Sequence, residues 1–201
     1  MHFVTESATV TLREQKRWQT SHRITVCAQQ LTDTRGLDGF TMDELAEAAG
    51  VSRRTLFNYF PGKLDAVLGA APEIPADVLA QFQAGGPHGN LLDDLGAMAQ
   101  ALLTMKEIDR ESLALARRVL TSSPRLIAAA HERFEQHTEE FVTLLVEREG
   151  KDFGTSRARL LIRILLAIFD ASLDVLLAAD DGRTIDQIFD EQLRETRALL
   201  A

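Results

Sequence analysis

The sequence predicts an all-α fold of about nine helices. There is one Tyr in 201 residues, no alternating apolar and polar run of the kind a half-buried strand requires, and Ala, Leu, Glu and Arg recur at three- and four-residue spacing. With 45% hydrophobic residues the chain can bury a sizeable core.

The first helix is predicted over 12–35. Ile24, Cys27, Ala28 and Leu31 fall there at i, i+3, i+4 and i+7, a single buried stripe that makes Cys27 a core residue, and Gly36 stops it. A short helix opens at Thr41, whose hydroxyl can accept the Glu44 amide while the Glu44 carboxylate returns to the Thr41 amide. It ends at Gly50, which can adopt the left-handed conformation a sharp turn needs, and Ser52 caps a second short helix through Phe60. Pro61-Gly62 breaks the chain before a helix over 63–70, closed in turn by Pro72 and Pro75. Four of the twelve glycines and three of the five prolines lie between Gly69 and Gly89, which reads as a junction carrying a short helix over 76–83. Longer helices follow over 90–105, 107–121, 124–149, 155–179 and 184–200. Pro124 suits a first turn, and Thr184 with Gln187 suits a second capping box.

The net charge of −8 is unevenly distributed. Residues 1–68 hold 8 basic and 8 acidic side chains, whereas residues 69–201 hold 14 and 22. Cys27 is the only cysteine, so neither an internal disulfide nor a cysteine-based metal site can form within one chain. No apolar run reaches the 18 or so residues of a membrane span, and the first 20 residues carry charges where a signal peptide would be apolar. A cytoplasmic location without a membrane partner is therefore expected. Enzymatic signatures are thin. His131 and His137 are six apart on a predicted helix and so face different ways, and there is no nucleophile elbow or phosphate loop. No catalytic residue, metal or cofactor is expected.

The segment FTMDELAEAAGVSRRTLFNYFPGKLDAVL, residues 40–68, has the parts of a helix-turn-helix. Small Ala46 and Ala49 allow the two helices to cross closely, and Leu45, Val51, Leu56 and Phe60 fix the crossing. Arg53, Arg54 and Thr55 form a polar face at the start of the second helix, where an Arg can bond a guanine edge with two hydrogen bonds. This stretch, with the preceding helix from about Arg13, resembles the DNA-binding domain of the TetR family. The resemblance implies a DNA-binding domain over 1–68 and a ligand-binding and dimerisation domain over 69–201. It further implies a homodimer on a palindromic operator in double-stranded DNA and repression released by a ligand. Base contacts would fall to Arg53, Arg54, Thr55 and Asn58, and phosphate contacts to Thr41, Ser52, Tyr59 and Lys63, with Tyr59 also readable as a core aromatic. Arg13, Lys16 and Arg17 form one stripe, either a solvated face or an arm onto the DNA backbone.

From Leu160 to Leu177 the only charges are Arg163, Asp170 and Asp174, so the helix over 155–179 should be buried on more than one side. A four-helix interface with the helix over 184–200 would satisfy this, placing Leu173, Leu177, Ile185 and Phe189 between two copies. Phe82, Met98, Leu102, Met105, Phe134, Phe141, Leu145 and Phe169 could line a ligand pocket, each being also readable as packed core. The run RRVLTSSPRL, residues 117–126, and the amphipathic helix after it resemble the acyl-CoA-like ligand-binding domain of mycofactocin-system-type regulators. That implies a small apolar ligand such as an acyl-CoA. Arg117, Arg118 and Arg125 would then either meet its phosphates or form a solvated face. A drug-sensing repressor of an efflux system is the alternative reading.

Overall fold

The computed structural model describes residues 12–71, 73–104, 109–179 and 181–200, with side chains between Lys16 and Leu199. The described residues form ten α-helices and one 3-10 turn, with no strand among them. Contacts divide the chain into two compact units. One runs to Ala71 and adds Leu115–Ala130, and the other holds Pro72–Ala114 and His131–Ala201.

The first unit is built on α1 (Leu12–Arg35), α2 (Met42–Ala48), α3 (Arg53–Tyr59) and α4 (Lys63–Leu68). Half of the α1 stripe is fully buried: Ile24 and Ala28 meet Leu45, Ala46 and Ala49 of the α2 segment, Leu56 and Phe60 of the α3 segment, and Ala66 and Val67 of α4, while Cys27 and Leu31, expected in the same core, are half-buried against it. Gln29, itself buried, donates from Nε2 to the Val67 carbonyl at 3.0 Å and ties α1 to the end of α4. Leu115, Val119 and Leu126 complete this core, so the end of α7 (Arg110–Thr121) and the start of α8 (Pro124–Glu149) pack with it. Arg118 bonds Asp33 at 2.9 Å and Arg125 bonds Asp38 at 2.9 Å. Both guanidinium groups are more than half exposed, as on the solvated face that was one of the two readings of these residues, and such exposed bridges are weak.

The second unit comprises α5 (Ala76–Gln83), α6 (Leu91–Thr104), α9 (Thr155–Ala178), α10 (Ile185–Leu200), the 3-10 turn Lys151–Phe153 and the remainders of α7 and α8. Asn90 Oδ1 accepts the Leu92 amide at 3.1 Å and opens α6. The helix expected from Glu107 is described from Arg110, because Asp109 accepts the Ser112 amide at 2.8 Å and caps it there. Met105, a pocket candidate, lies outside the described residues, as does Pro72. Ile188 and Phe189 on α10 are buried against α9 and α6. Ile185 and Phe189, expected between two copies, are thus enclosed by the protomer's own core, while Leu173 and Leu177 remain half-buried. The reason is that α6 supplies Leu92, Ala99 and Leu103 as partners for this face of α10 and α9.

One buried ion pair lies in this unit. The side chains of Asp94 on α6 and Arg148 on α8 are 0% and 5% exposed, and they are in direct contact. Asp94 also accepts the His88 amide at 2.6 Å, and the Arg148 guanidinium lies 4.2 Å from the centroid of the Phe82 ring. Burial pushes the Asp94 carboxyl up, but the His88 amide and the Arg148 cation together hold it below the usual carboxylate value. Its stabilising contribution is therefore complete above the unfolded-state carboxylate pKa and is lost as pH falls through the lower folded-state value. Asp94→Asn leaves a buried cation without its counter-charge. We expect it to lower the unfolding free energy by about 3–5 kcal/mol in urea titrations at neutral pH, and to weaken the acid-induced loss of stability that wild type shows.

Candidate nucleic-acid interface

The turn between α2 and α3 is closed by backbone bonds that require Gly50. At φ +63° it reverses the chain, so that its own amide reaches the Glu47 carbonyl at 3.0 Å and the Val51 amide reaches Ala46 at 2.9 Å. The capping box of α2 is formed in both directions: the Glu44 amide donates to Thr41 Oγ1 at 3.2 Å and the Thr41 amide to Glu44 Oε2 at 2.7 Å. Ser52 caps α3, accepting the Thr55 amide at 3.0 Å. With Leu56 and Phe60 buried, the opposite face of α3 must point outward, and Arg53, Arg54, Phe57 and Asn58 are all exposed on it.

The four expected base readers are differently disposed. Arg54 and Asn58 stand exposed, and Arg54 has no hydrogen-bond or ion-pair partner among the described residues. Arg53 donates to Asp43 Oδ2 at 2.9 Å and lies 5.6 Å from the centroid of the Phe57 ring. Both partners of that bridge are more than half exposed, so it is weak and can open. The Thr55 hydroxyl pairs with Ser52 Oγ at 2.8 Å, which engages one base candidate and one phosphate candidate with each other.

The expected phosphate set is more heavily committed. The Thr41 hydroxyl donates its one proton to Glu44 Oε2 at 2.9 Å. The Glu44 carboxylate is held below its usual pKa first by the Thr41 amide, then by that hydroxyl and, more weakly, by Arg35. Tyr59 is half-buried against the core. Lys63 departs furthest from expectation. Its ammonium donates to the Leu37 carbonyl at 3.0 Å and the Phe40 carbonyl at 2.7 Å and sits 5.0 Å from the Phe40 ring centroid. Two of its three donors are thus engaged in fixing the α1–α2 loop. Lys16 and Arg17 are exposed on α1, and the Arg13 side chain lies outside the described residues.

Residues 24–68 match the family model of bacterial regulatory proteins, tetR family. Over this segment the chain is similar to TetR-type transcriptional regulators. The helix-turn-helix transcriptional regulator TcmR of Streptomyces glaucescens is 24% identical over 164 residues, covering 78% of this chain and 73% of that protein. The family and this relative are regulators of transcription, not enzymes. Among solved structures, a TetR-family regulator from Mesorhizobium loti is similar with a TM-score of 0.49 at 18% identity, over 90% of this chain and 96% of that one. The TetR-family regulator PfmR of Thermus thermophilus has a TM-score of 0.39 at 21% identity, over 86% and 97%. Both scores fall below 0.5, and neither neighbour adds to what residues 24–68 establish.

In the other unit, four of the eight pocket candidates come together: Phe82, Met98, Phe141 and Leu145 share one apolar cluster. Phe169 belongs to the clusters beside α10, and Leu102 and Phe134 are half-buried outside all of these. None of the seven described candidates lines the open groove of about 380 Å³ bounded by Leu91, Leu92, Phe153, Leu160, Leu161 and Ile164, with Asn90 and Arg157 as its polar members. Two features escaped sequence reasoning. The Asp94–Arg148 pair joins positions 54 residues apart, and no local pattern announces it. Phe57 could have been found, because the residue after a core Leu on a helix turns about 100° away from the core.

Lys63→Met removes two hydrogen bonds to carbonyls while keeping an aliphatic stem. We expect it to lower the unfolding free energy by about 1–3 kcal/mol in urea titrations. A stability equal to wild type would show that the ammonium does not hold the loop.

Proposed function

We propose that the chain is a ligand-released repressor that binds a palindromic operator as a homodimer, with residues 1–68 reading duplex DNA and residues 69–201 carrying the ligand and dimer functions. One observation carries the DNA reading. Arg54 and Asn58 project from a helix whose opposite face is fixed by fully buried Leu56 and by Phe60, so the reading groups are held in place before DNA arrives. An exposed, unpartnered guanidinium is suited to the O6 and N7 acceptors of guanine. The engaged hydroxyls of Thr41, Ser52 and Thr55 can still accept or exchange hydrogen bonds at phosphate.

The effector we assign is a hydrophobic acyl-type molecule such as an acyl-CoA. Phe82, Met98, Phe141 and Leu145 supply an apolar surround, and Nη1 of the adjacent Arg148 is buried without a hydrogen-bond partner among the described residues. A ligand acceptor would satisfy that donor. For the dimer, Leu166, Leu173 and Leu177 lie at i, i+7 and i+11 on one face of α9, with Leu166 43% exposed and the other two half-buried. This face supports α9 as the main contact.

Three measurements test the proposal. Arg54→Ala should cost about 1–3 kcal/mol on the selected sequence and little on random duplex, read by fluorescence anisotropy. Leu173→Asp should give monomers in analytical ultracentrifugation, whereas an unchanged dimer mass would move the interface elsewhere. In an operator titration, acyl-CoAs of increasing chain length should release the protein. Release by a planar cation alone would favour the efflux-type sensor instead.

A further inference from the structure

Phe57 is a large apolar side chain, 42% exposed, in the middle of the polar face of α3. It stands four residues from Arg53, three from Arg54 and next to Asn58, so these side chains form one continuous patch. Isolated apolar residues on a surface need no explanation. This one differs because it shares the face assigned to base reading, and because Arg53, tethered by Asp43, lies against its ring. The bridge draws the Arg53 cation toward α2 and leaves the ring as the projecting group between two free polar side chains. Within the major groove the one apolar feature on the base edges is the 5-methyl group of thymine.

We propose that Phe57 is a specificity-determining residue that packs on a thymine 5-methyl in each half-site, with the guanidinium of Arg53 lying against its ring. This rests on the DNA-binding reading above. It divides recognition into a hydrogen-bonding part, Arg54 with Asn58, and an apolar part, Phe57. A Phe offers no hydrogen bond, so the preference it creates depends on the methyl group alone and not on base pairing.

The methyl can be removed without altering pairing by replacing thymine with deoxyuridine. The full chain is first used to enrich binding sites from random duplexes, and each thymine of the enriched site is then replaced in turn. For wild type, one thymine position per half-site should be sensitive, losing about fourfold in affinity, as expected for one buried methyl. Phe57→Ala should bind the unmodified site with a comparable loss and become indifferent to deoxyuridine at that position. Phe57→Leu should retain part of the sensitivity. The position is exposed and Ala is a good helix former, so the variant should fold, which far-ultraviolet circular dichroism verifies. Enrichment of a site that contains no sensitive thymine would overturn the assignment, as would a Phe57→Ala variant as sensitive as wild type, while leaving DNA binding intact. Failure of wild type to enrich any sequence would overturn the DNA-binding reading and this inference together.

Discussion

A seven-residue helix does not persist in water unaided, because nucleation fixes several dihedrals for few hydrogen bonds. α3 is such a helix, and its existence depends on the burial of Leu56 and Phe60 against the core that α1, α2 and α4 share. Full burial of a side chain of that size contributes about 1.5–3 kcal/mol. The same burial sets the rotation of the helix. Once Leu56 points inward, Arg53, Arg54, Phe57 and Asn58 must point outward, so the chemistry offered to a partner follows from an apolar contact on the opposite side. The Gly50 turn and the Ser52 cap set where α3 begins, and Lys63 holds the α1–α2 loop behind it.

The charge balance of the first unit has a structural counterpart. Acidic residues bridge Arg35, Arg53, Arg118 and Arg125 at its surface. Each exposed pair is worth little in stability, but together they offset four of the unit's cations that would otherwise attract a phosphate backbone. Arg54 stands exposed without such a bridge among the described residues, and on the proposed function it would act on base edges with less competing non-specific attraction. A reading head with a net charge of zero is thus compatible with sequence-selective binding. Under the proposed function its affinity would come from a few placed contacts and from duplication in a dimer.

The second unit relies on a different device. Beside one of its apolar clusters lies a buried ion pair whose two charges would each be costly alone. Asp94 also fixes the loop before α6 through the His88 amide, and Arg148 lies against Phe82 of α5. Four elements therefore meet at one electrostatic centre. This gives the core a defined arrangement that packing of Leu, Met and Phe would leave less constrained.

The sequence by itself determined the helical class, the capping box at Thr41 and Glu44, the turn at Gly50 and the anchors Leu45, Val51, Leu56 and Phe60. All of these depend on contacts within a few residues or on a periodicity of 3.6. It also contained the tetR-type match over residues 24–68, because a helix-turn-helix is compact in sequence as well as in space. Only the tertiary structure decided the rest. Ile185 and Phe189 proved to be core, since a helix face reads the same whether its partner is an element of the same chain or a second copy. Lys63, Arg118 and Arg125 have carbonyl and carboxylate partners that only the fold brings to them, across 23 to 87 residues. A cation's partner is decided by proximity in space, and side-chain type fixes only what kind of partner it needs.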